Sequence, residues 1–143
     1  KWHMVPNVIV SAGDREFVVS CVHLDPHRCG REDRAQQFEE VMEGIENERE
    51  GRVCVVGGDF NTISKGIMQW HYPEAGWFAH VVRRYGLNDP FDKREGTFES
   101  RIIPFKLDWI CIDKEVKVIN TNIGHGTDEI CSDHKWVLCD ILV

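Results

Sequence analysis

The sequence predicts an α+β domain in which two packed sheets carry helices on their outer sides. Three observations predict it. Apolar runs rich in β-branched residues, bounded by Gly, Asp, Asn and Pro, outnumber the stretches with helical periodicity. Apolar stripes of helical period occur only within Arg31 to Glu48 and Trp77 to Tyr85. The turn chemistry between several of the runs is that of antiparallel hairpins, whereas the longer helix bridges two apolar strands.

Val5 to Ser11 and Glu16 to Val22 read as a hairpin, with Gly13 and Asp14 in its turn and His23 at the exit of its second strand. Pro26 to Gly30 read as a loop. Arg31 to Glu48 read as an amphipathic helix: Phe38, Val41, Met42 and Ile45 form one stripe, and Glu39, Glu40, Glu43 and Glu46 form a solvated face. Gly51 stands near its stop. Val53 to Val56 then form a buried strand.

Thr62 to Gly76 are irregular. Trp70 and Tyr72 there either pack the loop down or stack on a nucleobase. Trp77 to Tyr85 carry a second stripe, Phe78, Val81, Val82 and Tyr85, closed by Gly86 as the residue after the helix. Leu87 to Pro90 open a loop, and Gly96 to Phe98 suggest a short strand. Glu99 to Lys106 read as a loop whose Arg101 and Lys106 are either solvated or directed at phosphates. Leu107 to Ile112, Val116 to Thr121 and Lys135 to Leu142 complete the strands.

The stretch with most chemistry is Gly57-Gly58-Asp59-Phe60-Asn61. The two glycines let the chain turn sharply as it leaves the sheet. Asp59 and Asn61, one residue apart, point the same way if extended geometry continues, and together suit a hard cation and a water. Read alone, the pair better suits a plain Asx turn. Similar polar groups sit in or beside apolar runs at Val22-His23-Leu24-Asp25-Pro26, Leu107-Asp108-Trp109-Ile110 and Ser132-Asp133-His134. Asp108, flanked by Leu107 and Trp109, needs a polar partner if buried, and an ion pair with His134 meets that need. The alternative is that Asp108 caps a backbone turn.

The chain of 143 residues suits one domain and can bury about 68–70% of its unfolded surface. An apolar content of 42% supports a core and argues against wholesale disorder. The net charge of −7 gives no footprint for tight nonspecific nucleic-acid binding, although a bound metal supplies positive charge locally. No run is long enough to span a membrane, and no secretory signal pattern is present. The opening residue is Lys1, as expected of a processed product or a piece of a longer protein. Cys21, Cys54, Cys111 and Cys139 fall within strand-like runs and read as buried, reduced thiols, which suggests an intracellular setting, cytoplasmic or nuclear. Cys29 and Cys131 fall in loops, and the absence of a Cys-x-x-Cys pair makes a zinc site improbable.

In this order and spacing, the four polar segments resemble those of the endonuclease/exonuclease/phosphatase superfamily, the DNase I-like proteins. The resemblance runs from about Val8 to Leu142 and matches the later portion of that domain, so residues 1–143 are expected to be a partial domain. It implies a four-layer α-β-β-α sandwich that lacks its N-terminal strands, together with the Asn and the metal-binding Glu they supply. Gly96-Thr97-Phe98 resembles the family's short Thr-aromatic segment. The resemblance implies a phosphoesterase that uses Mg²⁺ or Mn²⁺, most plausibly a phosphodiesterase on nucleic acid. A phosphatase or sphingomyelinase-like enzyme and an inactive binding remnant are the alternatives. The 5-phosphatase signature is not evident in Phe60 to Lys65.

By the same resemblance, Asp59 would orient or deprotonate the attacking water and touch metal. Asn61 would hold that water or the phosphate, and Asp133 would be a metal ligand. His134 would contact the scissile phosphate and the metal, Asp108 would fix its tautomer, and His23 would donate to a phosphate oxygen. The missing strands imply an open sheet edge, hence self-association or a second chain completing the sheet.

Overall fold

The computed structural model describes residues 6–25, 31–64, 74–91, 95–99, 104–124 and 132–143. The expected hairpin comprises β1 (Asn7–Ala12) and β2 (Arg15–His23), antiparallel with Val8 opposite Val19. Helix α1 (Arg31–Arg49) crosses to β3 (Val53–Ser64), which runs parallel to β2. Such a parallel pair needs a long connection, and the helix supplies it. Next come α2 (Glu74–Arg84), β4 (Leu87–Asn88), β5 (Phe98–Glu99), β6 (Pro104–Asp113), β7 (Lys117–Gly124) and β8 (Trp136–Leu142). The larger sheet has the order β1-β2-β3-β6-β4, with β5 also pairing to β6; β7 and β8 form a separate antiparallel pair. The chain is α+β, as the sequence predicts. The loop expected at Glu99 to Lys106 is shorter than anticipated, because β6 has begun by Pro104.

Both helical stripes face the larger sheet. Phe38, Met42 and Ile45 of α1 and Phe78, Val81 and Val82 of α2 join Val18, Val22, Cys54, Val56, Trp109 and Cys111 of the strands in one core. At its centre, the Phe78 ring lies 4.7 Å from Phe38, 4.9 Å from Phe60 and 4.7 Å from Trp109, spacings at which aromatic pairs attract. Gly86, with φ of 70°, ends α2 as expected, and its amide donates to the Arg83 carbonyl.

Three expectations change. Cys54 and Cys111 are buried, and burial pushes the Cys54 thiol up to about 12 and the Cys111 thiol well above its ordinary value. Cys21, however, points outward from β2, because neighbouring side chains alternate across a strand and Ser20 and Val22 take the inner positions. Cys139 is only half-buried, and all four cysteines named within strands are free thiols; Cys29 and Cys131, like Trp70, Tyr72 and Arg101, lie outside the described residues. Lys106 is neither solvated nor a phosphate contact. It is 1% exposed, pairs with Asp89, and lies 4.3 Å from the Trp109 ring and 5.6 Å from that of Phe91. Third, Gly57 and Gly58 do not end the sheet, since β3 stays paired with β2 and β6 through Asp59.

One ion pair locks the helical crossover to the sheet. Arg49 Nη2 donates to both carboxylate oxygens of Asp113 at 2.6 Å, while its Nε donates to the Arg52 carbonyl at 2.8 Å. Asp113 Oδ2 also accepts the Cys54 amide at 2.8 Å, so one carboxylate joins the end of α1, the start of β3 and the end of β6. Among the described residues, no helix is long and apolar enough to cross a membrane.

Asp113→Ala leaves the Arg49 guanidinium and the Cys54 amide without this acceptor. Stability should fall by about 1.5–3 kcal/mol, the range for hydrogen bonds to charged groups. Urea unfolding checks it: the midpoint should drop with the slope unchanged.

Candidate active site

The site forms where β2, β3 and β6 lie side by side. Parallel pairing sets His23 beside Asp59, and antiparallel pairing sets Asp59 opposite Asp108. The register demands an unusually close approach of β2 to β3. Gly58 has φ of 141°, and a Cβ there would lie 2.0 Å from the Val22 carbonyl oxygen. Gly58 therefore serves the pairing that places Asp59 beside His23, and Gly57 faces Trp109 and Ile110 of β6, in place of the turn expected of them.

Asp59 and Asn61 flank Phe60, whose side chain is fully buried in the aromatic core. The chain does not stay extended past it: Asn61 has φ of 50°, a left-handed conformation that Asn tolerates better than most residues. Asp59 Oδ1 accepts the Asn61 amide at 2.8 Å, and Asn61 Nδ2 donates to the Leu24 carbonyl at 2.8 Å. The Asx-turn reading of Asp59 holds, and the extended geometry expected through Asn61 does not. One oxygen closes an Asx turn, and the other faces two imidazoles.

Asp59 Oδ2 lies 3.8 Å from His23 Nε2 and 3.9 Å from His134 Nε2. On its other side, His134 Nδ1 lies 2.9 Å from Asp108 Oδ2. The result is a line of alternating groups, Asp108, His134, Asp59, His23. The inner separations exceed a direct hydrogen bond and suit a shared third oxygen. Thr97 and Phe98, expected as a short Thr-aromatic strand with no chemical role, adjoin this line. Thr97 Oγ1 accepts the Leu107 and Asp108 amides, and the Phe98 ring lies 5.1 Å from that of His134, edge to face.

Burial raises the Asp59 pKa. The Asn61 amide opposes this, the Asp108 charge adds to it, and His134 and His23 oppose it, leaving the pKa above the usual carboxylate value. For His134, burial disfavours the imidazolium. The hydrogen bond and charge of Asp108, with the charges of Asp59 and Asp133, outweigh that and raise the pKa. Asp133 itself is exposed.

Asp59, Asp108 and His134 offer ligand atoms that all lie within 4.8 Å of one another. Two carboxylates and an imidazole suit a divalent cation of the Mg²⁺ or Mn²⁺ type. This group includes Asp108, expected only to orient His134, and does not include Asp133.

The pH dependence follows from His134. Its folded pKa lies above the unfolded value of about 6.5, so the folded state holds the proton more tightly. The stabilisation is complete below the unfolded pKa and is lost as pH rises through the folded one. Asp108→Asn should lower the His134 pKa and remove most of this dependence, measured by titrating the imidazole Cε1–H in NMR alongside urea midpoints at several pH values.

No family model and no curated protein matches the chain. Solved structures do resemble it. The endonuclease domain of TRAS1, a telomere-specific non-LTR retrotransposon, has a TM-score of 0.74 at 15% identity, over 97% of this chain and 64% of its own. An endonuclease/exonuclease/phosphatase family protein from Leptotrichia buccalis has 0.70 at 19%, over 97% and 53%. A mannosyl-6-phosphatase from Bacteroides thetaiotaomicron has 0.66 at 19%, over 90% and 52%. The chain therefore spans between 52% and 64% of the length of these structures. It has the DNase I-like fold of the endonuclease/exonuclease/phosphatase proteins.

Proposed function

We propose that this domain belongs to a metal-dependent phosphoesterase that hydrolyses phosphodiesters, with nucleic acid as substrate. The observation that carries the reading is the line Asp108–His134–Asp59–His23, which places one carboxylate oxygen within 3.9 Å of two imidazole nitrogens. A divalent cation held by Asp59 and Asp108, or by Asp59 with Asn61 and Asp133, would neutralise phosphate charge and acidify water.

The chain's own residues do the rest. Asp59, its pKa raised by burial, accepts a proton from the attacking water, and the Asn61 amide group orients that water. His134, kept protonated by Asp108, donates Nε2–H to a phosphate oxygen where charge develops. His23, largely exposed, donates to a second phosphate oxygen. The DNase I-like fold shared with an endonuclease domain supports a nucleic-acid substrate.

A second reading is a phosphomonoesterase. It is favoured by the likeness to a sugar phosphatase and by the net charge of −7, which disfavours long polyanions. The free thiols within strands fit an intracellular setting.

In a longer chain that spans the whole fold, Asp59→Ala and His134→Ala should each cut turnover by about 10²–10⁴ while the protein stays folded, the usual loss for a proton-transferring group. The test uses Mg²⁺ with a single-stranded oligonucleotide and with a sugar phosphate, and EDTA should abolish the activity. Turnover within a few-fold of the parent in both variants would refute the site. The 143-residue chain itself is expected to turn over far more slowly, or to serve only as a binding domain.

The chain also leaves apolar residues in the open: Val8, Ile9 and Val10 on β1, and Trp136, Leu138 and Leu142 on β8. β1 pairs with β2 alone among the described strands, and β8 with β7. Edge strands of this composition associate. The chain alone should therefore sediment as dimers or larger species with a concentration-dependent distribution; a monomer at every concentration would contradict this.

A further inference from the structure

We infer that Thr97, with Phe98, is a positioning residue that aligns Asp108 with His134, an inference that rests on the proposed active site. The two members of this pair are 26 residues apart, on different sheets or their approaches. Their 2.9 Å contact requires β6 and the segment before β8 to keep a fixed relation. Thr97 joins the two. Its side chain is fully buried, and Oγ1 accepts both the Leu107 amide at 3.0 Å and the Asp108 amide at 2.9 Å. Its own amide donates to the Phe105 carbonyl at 2.8 Å. Toward the other side, its carbonyl accepts the Lys135 amide at 2.6 Å.

Phe98 extends the clamp. It forms an antiparallel bridge with His134, and its ring meets the imidazole edge to face at 5.1 Å and 60°. A threonine hydroxyl oxygen has two lone pairs with which to accept. Here a single hydroxyl oxygen takes two consecutive amides, one of them that of Asp108 itself. The same residue's carbonyl fixes the amide that follows His134. The position of each partner is thus referred to one residue.

The test uses the 143-residue chain labelled with ¹⁵N-histidine. An imidazole Nδ1–H held by a carboxylate gives a low-field proton resonance, observable without substrate or metal. Thr97→Val keeps the volume and removes the hydroxyl; it should lose or shift the His134 resonance while the remaining amide spectrum stays folded. Thr97→Ser should restore it.

A folded Thr97→Val protein with the resonance unchanged, even if less stable, overturns the inference and leaves Thr97 as core packing. Should Thr97→Val fail to fold, Phe98→Leu takes its place: the resonance should shift through loss of the ring contact, and an unchanged resonance overturns the inference. Absence of the resonance from the unsubstituted chain overturns the clamp together with the Asp108–His134 pair. Absence of turnover from the unsubstituted whole domain, with the resonance present, refutes the proposed function alone.

Discussion

The register between β3 and β6 sets two carboxylates, Asp59 and Asp108, directly across from each other. Like charges opposed on antiparallel strands repel, so the sheet places them together against their own electrostatics. The remaining features of the site offset that repulsion. His134 lies between them and holds Asp108, the Asn61 amide takes one oxygen of Asp59, and His23 stands near the other. The same group of Asp59, Asp108 and His134 could hold a metal ion, whose charge would add to this compensation.

The core keeps that arrangement rigid. Phe60 carries no chemistry, yet its ring packs against those of Phe38 and Phe78, so the carboxylate before it and the amide after it project from a packed aromatic cluster. Gly58 lets β2 approach until His23 and Asp59 are neighbours. Farther along β6, buried Lys106 meets Asp89 and the rings of Phe91 and Trp109, and Trp109 in turn donates its indole N–H to Thr62 at 2.9 Å. Reactive groups on regular strands with fixed neighbours are held more precisely than groups on loops.

Much of this was legible in the sequence, and the part that was not has physical reasons. The strands, both helix stripes and the Gly86 stop follow from periodicity and backbone preference, which are local. The polar residues of the site were visible because each interrupts or ends an apolar run. The role of Lys106 was not visible: its carboxylate partner is 17 residues away, and nothing in its own segment distinguishes a buried lysine from a solvated one. Thr97 was recognisable as part of a short Thr-aromatic strand but not as an acceptor, because that role depends on amides ten and eleven residues later. The left-handed turn at Asn61 was signalled by the residue type alone, since Asn tolerates it, while the pairing that requires it is tertiary.

The division of the strands into a five-strand path and a detached pair has a consequence for how the site opens and closes. Asp59 and Asp108 belong to the part of the molecule with the buried core, whereas His134 sits at the entrance to the two-stranded β7–β8 unit, which exposes Trp136, Leu138 and Leu142. A two-stranded ribbon has little cooperativity of its own, so its amides exchange with solvent through a smaller opening free energy than those of β3 and β6. An opening that freed the approach to β8 would withdraw the imidazole from both carboxylates. What stands against it is the backbone tie from Lys135 to Thr97 and the bridge from His134 to Phe98, so a complete site depends on two short contacts outside the ribbon itself.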